Sequence, residues 1–104
     1  MMKKTAKRVR SRGKRVAEGK DYEIFTSQRG SFEIMRLHGK CTTDMLDKVR
    51  NLLLEQTLNL AIDAAGLTDV NLTLVRELDL ASRRLRNTGH HLVLMHARAS
   101  LRDL

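Results

Sequence analysis

The four histidines and the single cysteine are the side chains best suited to bind a metal ion or to act as a nucleophile. His90, His91 and His96 lie close together in sequence, around a segment whose composition predicts a β-strand. On a strand, His90 and His96 share a face but stand about 20 Å apart, and His91 points to the opposite face. Because zinc needs three or four ligands in one coordination sphere, these histidines cannot share one ion. We interpret His38, near the end of another predicted strand, as a structural residue.

No grouping typical of catalysis accompanies these residues. The sequence lacks a Gly-rich phosphate loop, an H-E-x-x-H helix, a G-x-S-x-G turn and a Ser/His/Asp set. Asp63 follows a predicted strand at the sheet edge where ligands often bind, but no second acid, base or nucleophile stands near it in sequence. Cys41 precedes a predicted helix whose dipole could lower the thiol pKa, although we favour a small loop residue. A lone cysteine excludes an internal disulfide. We therefore expect no enzyme activity and no bound metal.

The elements that would position these residues follow from hydrophobic periodicity. Period-two runs predict strands, and apolar residues three and four apart predict amphipathic helices. A strand, loop, helix and strand in succession form a crossover unit that places two parallel strands in one sheet. The predicted elements are a hairpin of residues 22–27 and 31–37 around Gln28-Arg29-Gly30, a helix over 44–55 capped by Thr42 or Thr43, a strand over 58–62 that ends at Asp63, a loop over 64–70, a helix over Leu72–Asn87 capped by Asn71, and a fully buried strand over Leu92–Met95.

Charge is distributed very unevenly along the 104 residues, which have room for one small domain. The net charge is +8, and all of the excess lies in residues 1–20, because residues 21–104 hold equal numbers of acidic and basic side chains. Apolar residues in the first twenty are too sparse to bury a core against backbone entropy. We predict a basic, disordered arm over residues 1–20 and a folded domain over 21–104.

No segment predicts export or membrane insertion. The basic start is not followed by the 7–15 apolar residues of a signal core, and no later run is long and apolar enough to cross a bilayer. We therefore expect a cytoplasmic protein.

The segment from Ile62 to Val75, I-D-A-A-G-L-T-D-V-N-L-T-L-V, resembles the central motif of STAS domains, the anti-sigma-factor antagonists. In that motif a strand ending in Asp is followed by a short loop and then by Asp-Ser-Ser/Thr-Gly-Leu at a helix start. The order of predicted elements over residues 22–104 matches the family, with residues 97–104 as the first turns of a final helix. The resemblance implies an α/β fold, a small mixed β-sheet with helices packed mainly on one face, without a cofactor.

The resemblance also implies a protein-binding module whose partner is an anti-sigma factor that is also a kinase, or a STAS scaffold. Family members lose that partner when the Ser or Thr at the helix start is phosphorylated, and this position falls on Thr73. Where the family has Asp and Ser before the phosphorylated residue, this sequence has Asn71 and Leu72. Where the family has Gly after it, this sequence has Leu74. We therefore favour binding that does not depend on phosphorylation. The predicted contact residues are Asp69, Asn71, Leu72, Thr73 and Leu74.

Three alternatives stay open. The arm could bind a nucleic-acid backbone or an anionic surface in a salt-dependent way. Stand-alone STAS proteins also serve as accessory subunits of lipid transport, and a homodimer is compatible with the sequence. The arm residues that would contact an anion are Lys3, Lys4, Lys7, Arg8, Arg10, Arg12, Lys14 and Arg15.

Overall fold

Strands occupy the first part of the fold, and strands and helices then alternate. A computed structural model describes residues 13–95, and all structural statements below concern that range. Its elements are β1 (Lys14–Glu18), β2 (Tyr22–Arg29), β3 (Phe32–Gly39), α1 (Thr43–Glu55), β4 (Asn59–Leu67), α2 (Leu72–Asn87) and β5 (Leu92–Met95). The strands form one sheet in the order β1-β2-β3-β4-β5.

The first three strands are antiparallel neighbours, and the last three are parallel. Arg29 pairs with Phe32 across the β2–β3 hairpin, so its turn has only Gly30 and Ser31 at its tip. Gly30 has φ +61°, a left-handed conformation that glycine adopts without steric cost. The predicted hairpin is confirmed, with each strand slightly longer than its periodicity suggested.

Both helices cover the same face of the sheet. The connections β3–α1–β4 and β4–α2–β5 step across the sheet in the same direction, and right-handed crossovers then place both helices on one side. Arg50 of α1 contacts Glu77 of α2 at 3.4 Å, and Arg84 of α2 donates a hydrogen bond to the Leu53 carbonyl near the end of α1. The helices therefore lie side by side. Neither of these described helices has the length and hydrophobicity that a bilayer crossing requires.

The core lies between this helical layer and the sheet. Each side chain that becomes fully buried there contributes roughly 1.5–3 kcal/mol through removal of apolar surface from water. The largest fully buried side chains are Ile24, Met35 and Leu37 of the hairpin, Met45 and Val49 of α1, Leu60 and Ile62 of β4, and Leu74 and Leu85 of α2.

The prediction that β4 ends at Asp63 is wrong, because the strand continues to Leu67. Pairing with β3 passes from Arg36 opposite Asp63 to His38 opposite Gly66, so β4 contains one extra residue at this point. A carboxylate oxygen of Asp63 accepts a hydrogen bond from the Ala65 backbone at 3.0 Å, which holds this β-bulge. Asp63 is therefore a buried residue within a strand rather than a ligand at its end.

The prediction that residues 14–18 belong to a disordered arm is also wrong. These residues form edge strand β1, which turns Ala17 toward the core and leaves Lys14, Arg15 and Glu18 exposed. Edge strands often carry charged side chains, so the charged composition of β1 concealed it. Two segments lie outside the described residues: residues 1–12, which carry six of the nine basic residues of the predicted arm, and the predicted helical start at 97–104.

The prediction that β5 is fully buried is wrong for a similar reason. β5 is the other edge strand, and Val93 and Leu94 are 42% and 38% exposed. A continuous apolar run fits a central parallel strand and an uncovered edge strand equally well.

Candidate functional site

The start of α2 lies just beyond the carboxyl end of β4, where the sequence predicted a docking site. Asn71 is the N-cap residue, and its side-chain oxygen accepts a hydrogen bond from the Thr73 backbone at 2.7 Å. Its backbone carbonyl accepts hydrogen bonds from Leu74 and Val75. The helix therefore begins at a fixed position, which we call the α2 tip (Asn71, Leu72 and Thr73).

Leu72 is the most exposed large apolar side chain that the structure describes, at 65%. Its neighbour Thr73 is also exposed, and within the described chain no hydrogen bond engages the Thr73 hydroxyl. The first turn of α2 contains no acidic residue. The α2 tip therefore presents an apolar side chain and a free hydroxyl to solvent.

Leu74 does not belong to this surface, and its prediction as a partner contact is wrong. It is 0% exposed and lies in the core beneath α2. Two residues along an α-helix differ in direction by about 200°, so Leu72 and Leu74 must face opposite sides. Because the side of α2 that carries Leu74 packs into the core, Leu72 on the opposite side is left exposed.

Asp69 connects the loop before α2 to the loop before α1. A carboxylate oxygen of Asp69 accepts a hydrogen bond from the Cys41 backbone at 3.0 Å. The Thr68 backbone donates to the Gly39 carbonyl at 2.9 Å, and the Cys41 thiol lies 3.4 Å from the Asp69 carbonyl oxygen. We call this set of bonds the inter-loop contact. Its geometry gives Asp69 a positioning role, because one of its oxygens is occupied within the protein.

Cys41 is a buried thiol rather than a reactive one. Burial, and secondarily the negative charge of Asp69, raises its pKa from 9.0 to about 11. The thiol is therefore protonated at neutral pH, in agreement with a structural loop residue and against activation by the dipole of α1. The N-cap of α1 is Thr42, whose hydroxyl accepts a hydrogen bond from Met45.

Tyr22 ties the start of β2 to the first turn of α1. Its hydroxyl donates a hydrogen bond to a carboxylate oxygen of Asp44. Burial, then the hydrogen bond and the charge of Asp44, raises the pKa of Tyr22 from 10.0 to about 12. Together with the inter-loop contact, this bond holds the end of the sheet that supports the α2 tip.

A second exposed leucine continues the surface of the α2 tip along the helix. Leu80 is 58% exposed and lies two turns after Leu72, with the exposed Arg76 between them. Residues four apart on a helix are neighbours on its surface, so Leu72, Arg76 and Leu80 form a continuous line, which we call the outer stripe. Leu80 was missed as a site residue. Its signal was its position well off the buried stripe of α2, which consists of Leu74, Leu78, Ala81 and Leu85.

The other residues with possible chemistry are not brought together. Asp63 lies 3.4 Å from Arg36 in an ion pair, and the ring of His38 packs edge-on against Phe25 with 5.4 Å between centroids. Gly66 leaves room for that imidazole, because a Cβ at this position would lie 2.7 Å from His38 Nδ1. Among residues 13–95, no three His, Cys, Asp or Glu side chains cluster as metal ligands would.

Two of the predicted anion-binding residues, Lys14 and Arg15, are described. Arg15 forms ion pairs with Glu18 at 3.1 Å and with Glu23 at 2.8 Å. These two acids compete with any external anion for its guanidinium. Lys14 is exposed on the same strand, and the other six residues of that prediction lie outside the described range.

Two known structures share the fold of this chain. The crystal structure of an anti-sigma-factor antagonist STAS domain from Rhodobacter sphaeroides matches with a TM-score of 0.59 and 16% identity, over 76% of this chain and 90% of that one. The crystal structure of Mglu matches with a TM-score of 0.61 and 15% identity over 72% of this chain, which spans only 20% of the Mglu chain. No family model matches the sequence, and no curated protein matches it. At these identities the likeness establishes the fold alone, and the chain has the STAS-domain fold that its central motif predicted.

Proposed function

We propose that this protein is a non-enzymatic regulatory module that binds another protein through the α2 tip and the outer stripe. The observation that carries the proposal is the exposure of Leu72, at 65%, on a helix start held by the Asn71 cap. Because the cap already fixes the backbone of the helix start, binding there orders little backbone, and the exposed apolar side chain gains the free energy of leaving water. The proposed partner is an anti-sigma factor that is also a kinase, or a STAS scaffold, as the motif resemblance implies, and the fold shared with the Rhodobacter anti-sigma-factor antagonist supports a regulatory role.

The outer stripe indicates which chemistry the partner should offer. Two leucines flank Arg76, and Arg83 lies on the same side of α2. Arg83 is itself paired with Asp79 at 3.1 Å, so Arg76 supplies most of the accessible positive charge. We expect an apolar groove that receives Leu72 and Leu80, with an acidic rim opposite Arg76.

Binding is proposed to be independent of phosphorylation. A phosphate on Thr73 would add almost two negative charges. Arg76, three residues later in the helix, would attract them, but Glu77, four residues later, would repel them. The large Leu72 beside Thr73 also replaces the small side chain that gives a kinase access in the family. An apolar contact at this position suits a lasting complex better than a switched one.

Thr73 can be tested directly. The protein is incubated with a cognate kinase and ATP, and its intact mass is measured beside that of Thr73→Ala. We expect no added phosphate. A phosphate that appears in the wild type and is absent from the variant would reverse this part of the proposal and make the protein a switching antagonist.

The docking surface is tested by comparing Leu72→Glu with Leu54→Glu as bait proteins. Leu54 is 62% exposed at the far end of α1, so its variant makes the same chemical change away from the site. Leu72→Glu should fail to capture the proteins that the wild type and Leu54→Glu both capture. Circular dichroism should show that all three proteins are folded. Equal capture by both variants, or unfolding of Leu72→Glu alone, would contradict the proposed site.

The identity of the captured protein distinguishes the remaining alternatives. An ATP-binding kinase supports a regulator of the anti-sigma type, whereas a transporter subunit supports the lipid-transport alternative. Binding of nucleic acid or an anionic surface through the arm gains no support from Arg15, because that side chain is already paired with Glu18 and Glu23.

A further inference from the structure

The two edges of the sheet differ in how they are protected. An exposed edge strand presents unpaired backbone groups to any other strand, and proteins usually guard such edges with charges or bulges. β1 has both, because Lys14, Arg15 and Glu18 lie along it and its register shifts between Arg15 and Ala17. β5 has neither: its four residues, Leu-Val-Leu-Met, are apolar and pair regularly with β4.

The outward-facing backbone groups of β5 can be assigned from its hydrogen bonds. The His91 carbonyl accepts from the Leu60 backbone at 2.9 Å, and the His91 backbone N–H donates to the side chain of Asn59. Residue 91 therefore turns both of its groups toward β4, and in a parallel strand the next residue turns both of its groups away. Leu92 and Leu94 thus direct their N–H and C=O groups outward, where the described part of the chain supplies no partner strand.

We propose that β5 is the interface of a symmetric homodimer, in which it pairs antiparallel with β5 of a second copy and joins two sheets into one of ten strands. In the register that satisfies both copies, Leu92 lies opposite Leu94 of the second copy, and Val93 lies opposite its own equivalent. The two Leu92–Leu94 pairs then exchange about four main-chain hydrogen bonds.

Self-pairing is favoured because this register matches side chains of the same kind on each face. Leu92 packs against the core on the helix-covered face, and Leu94 follows it on that face, so leucines meet leucines there. Val93, 42% exposed on the opposite face, meets Val93 at about 4.5 Å between Cα atoms, the close spacing of a non-hydrogen-bonded pair. A two-fold axis closes this contact after two copies, and the β5 residues that meet in it, Leu92–Met95, carry no charge.

Such an interface is small. A four-residue strand together with the neighbouring flank of α2, which carries Val75 and Ser82, covers less than the ~800 Å² per partner of a standard complex. We therefore expect a reversible dimer that dissociates on dilution to roughly micromolar concentration.

The test is sedimentation equilibrium of the full chain in high salt, which screens the basic arm. The wild type should show a monomer–dimer equilibrium. Val93→Lys should weaken dimerisation at least tenfold, because it places two like charges opposite each other. Val16→Lys is the matched control, since Val16 is 38% exposed on the guarded edge strand β1, and it should dimerise like the wild type.

A mixture of Val93→Lys and Val93→Glu provides the decisive experiment. If Val93 faces its own equivalent, each variant alone is monomeric and the mixture regains a heterodimer. If a charged variant fails to fold by circular dichroism, Val93→Thr replaces it and must weaken the dimer several-fold. A wild type that stays monomeric at high concentration, a Val93 variant that dimerises normally, or a mixture that stays monomeric overturns the proposal. Leu72→Glu should still dimerise, which separates this interface from the α2 tip.

Discussion

The inter-loop contact makes a quantitative prediction for Asp69. The family resemblance assigned Asp69 to partner binding, whereas the structure gives one of its carboxylate oxygens to the Cys41 backbone at 3.0 Å. Asp69→Ala removes that acceptor, so the Cys41 N–H loses this hydrogen bond in a partly buried loop. The variant should therefore lose stability as well as any contribution to binding.

The size of the loss follows from the kind of bond. A hydrogen bond to a charged group contributes about 1.5–3 kcal/mol, and the solvent exposure of Asp69 places this one near the low end. We expect Asp69→Ala to lower the free energy of unfolding by about 1.5 kcal/mol, which for a domain of this size is a fall in Tm of about 7 °C. Asp69→Asn keeps an oxygen acceptor without the charge and should lose roughly half as much.

The assay is urea denaturation at neutral pH, with Asp79→Ala as the matched control. Asp79 forms only an exposed pair with Arg83 on one face of α2, so its removal should cost a few tenths of a kcal/mol. Titration of the Cys41 thiol gives an independent readout. In Asp69→Asn its pKa should fall part of the way from about 11, because the charge of Asp69 is the secondary cause of the rise after burial. If Asp69→Ala is as stable as Asp79→Ala, the inter-loop contact does not hold the loop and the reasoning fails.

Further predictions concern the two leucines at the start of α2, the raised pKa values and the basic arm. In urea denaturation, Leu74→Ala should lower the free energy of unfolding by about 2–5 kcal/mol, whereas Leu72→Ala should change it little, because Leu74 is buried and Leu72 is exposed. Similar losses of stability in the two variants would contradict this difference in burial. In the folded protein the pKa values of Tyr22 and Cys41 are about 12 and 11, whereas in the unfolded chain they are near 10 and 9. Between about pH 9 and 12 the folded state therefore binds more protons than the unfolded state, so the free energy of unfolding should be level below about pH 9 and fall as pH rises toward 12. A flat profile across that range would contradict both pKa shifts. Removal of residues 1–12, which leaves β1 intact, should abolish any salt-sensitive DNA binding of the full chain, and equal binding by both forms at two salt concentrations would exclude the arm as the nucleic-acid site.

Sequence reasoning succeeded where local signals determine local structure. Asn71 was identified as one helix cap, and Thr42 was one of two candidates for the other, because short polar side chains suit that position. Both accept the expected backbone hydrogen bond. The start of α2 followed from the same signal. The parallel pairing of β4 and β5 was predictable from the order of strand, helix and strand, whereas the STAS-like fold class came from the resemblance of residues 62–75 to the family motif.

It failed where tertiary pairing overrides local composition. Ala64, Ala65 and Gly66 carry no strand signal, and they are extended only because β3 continues beside them past the bulge. Leu74 is more instructive: the family motif assigned it to the docking site, although the spacing of Leu74, Leu78, Ala81 and Leu85 is that of the buried stripe of an amphipathic helix. The periodicity was right, because helical geometry constrains a side chain's direction more strongly than a motif does.

The order of strands in space is the same as their order along the chain, so no strand has to be inserted between two that are already paired. During synthesis the β2–β3 hairpin can form as soon as it leaves the ribosome, and β4 and β5 can then join in turn at one growing margin. Each of these additions brings the helix that precedes it into place over the new strand. A nascent chain halted before Leu92 would therefore hold α2 without β5 beneath it, so the described sheet is complete only once β5 has been made.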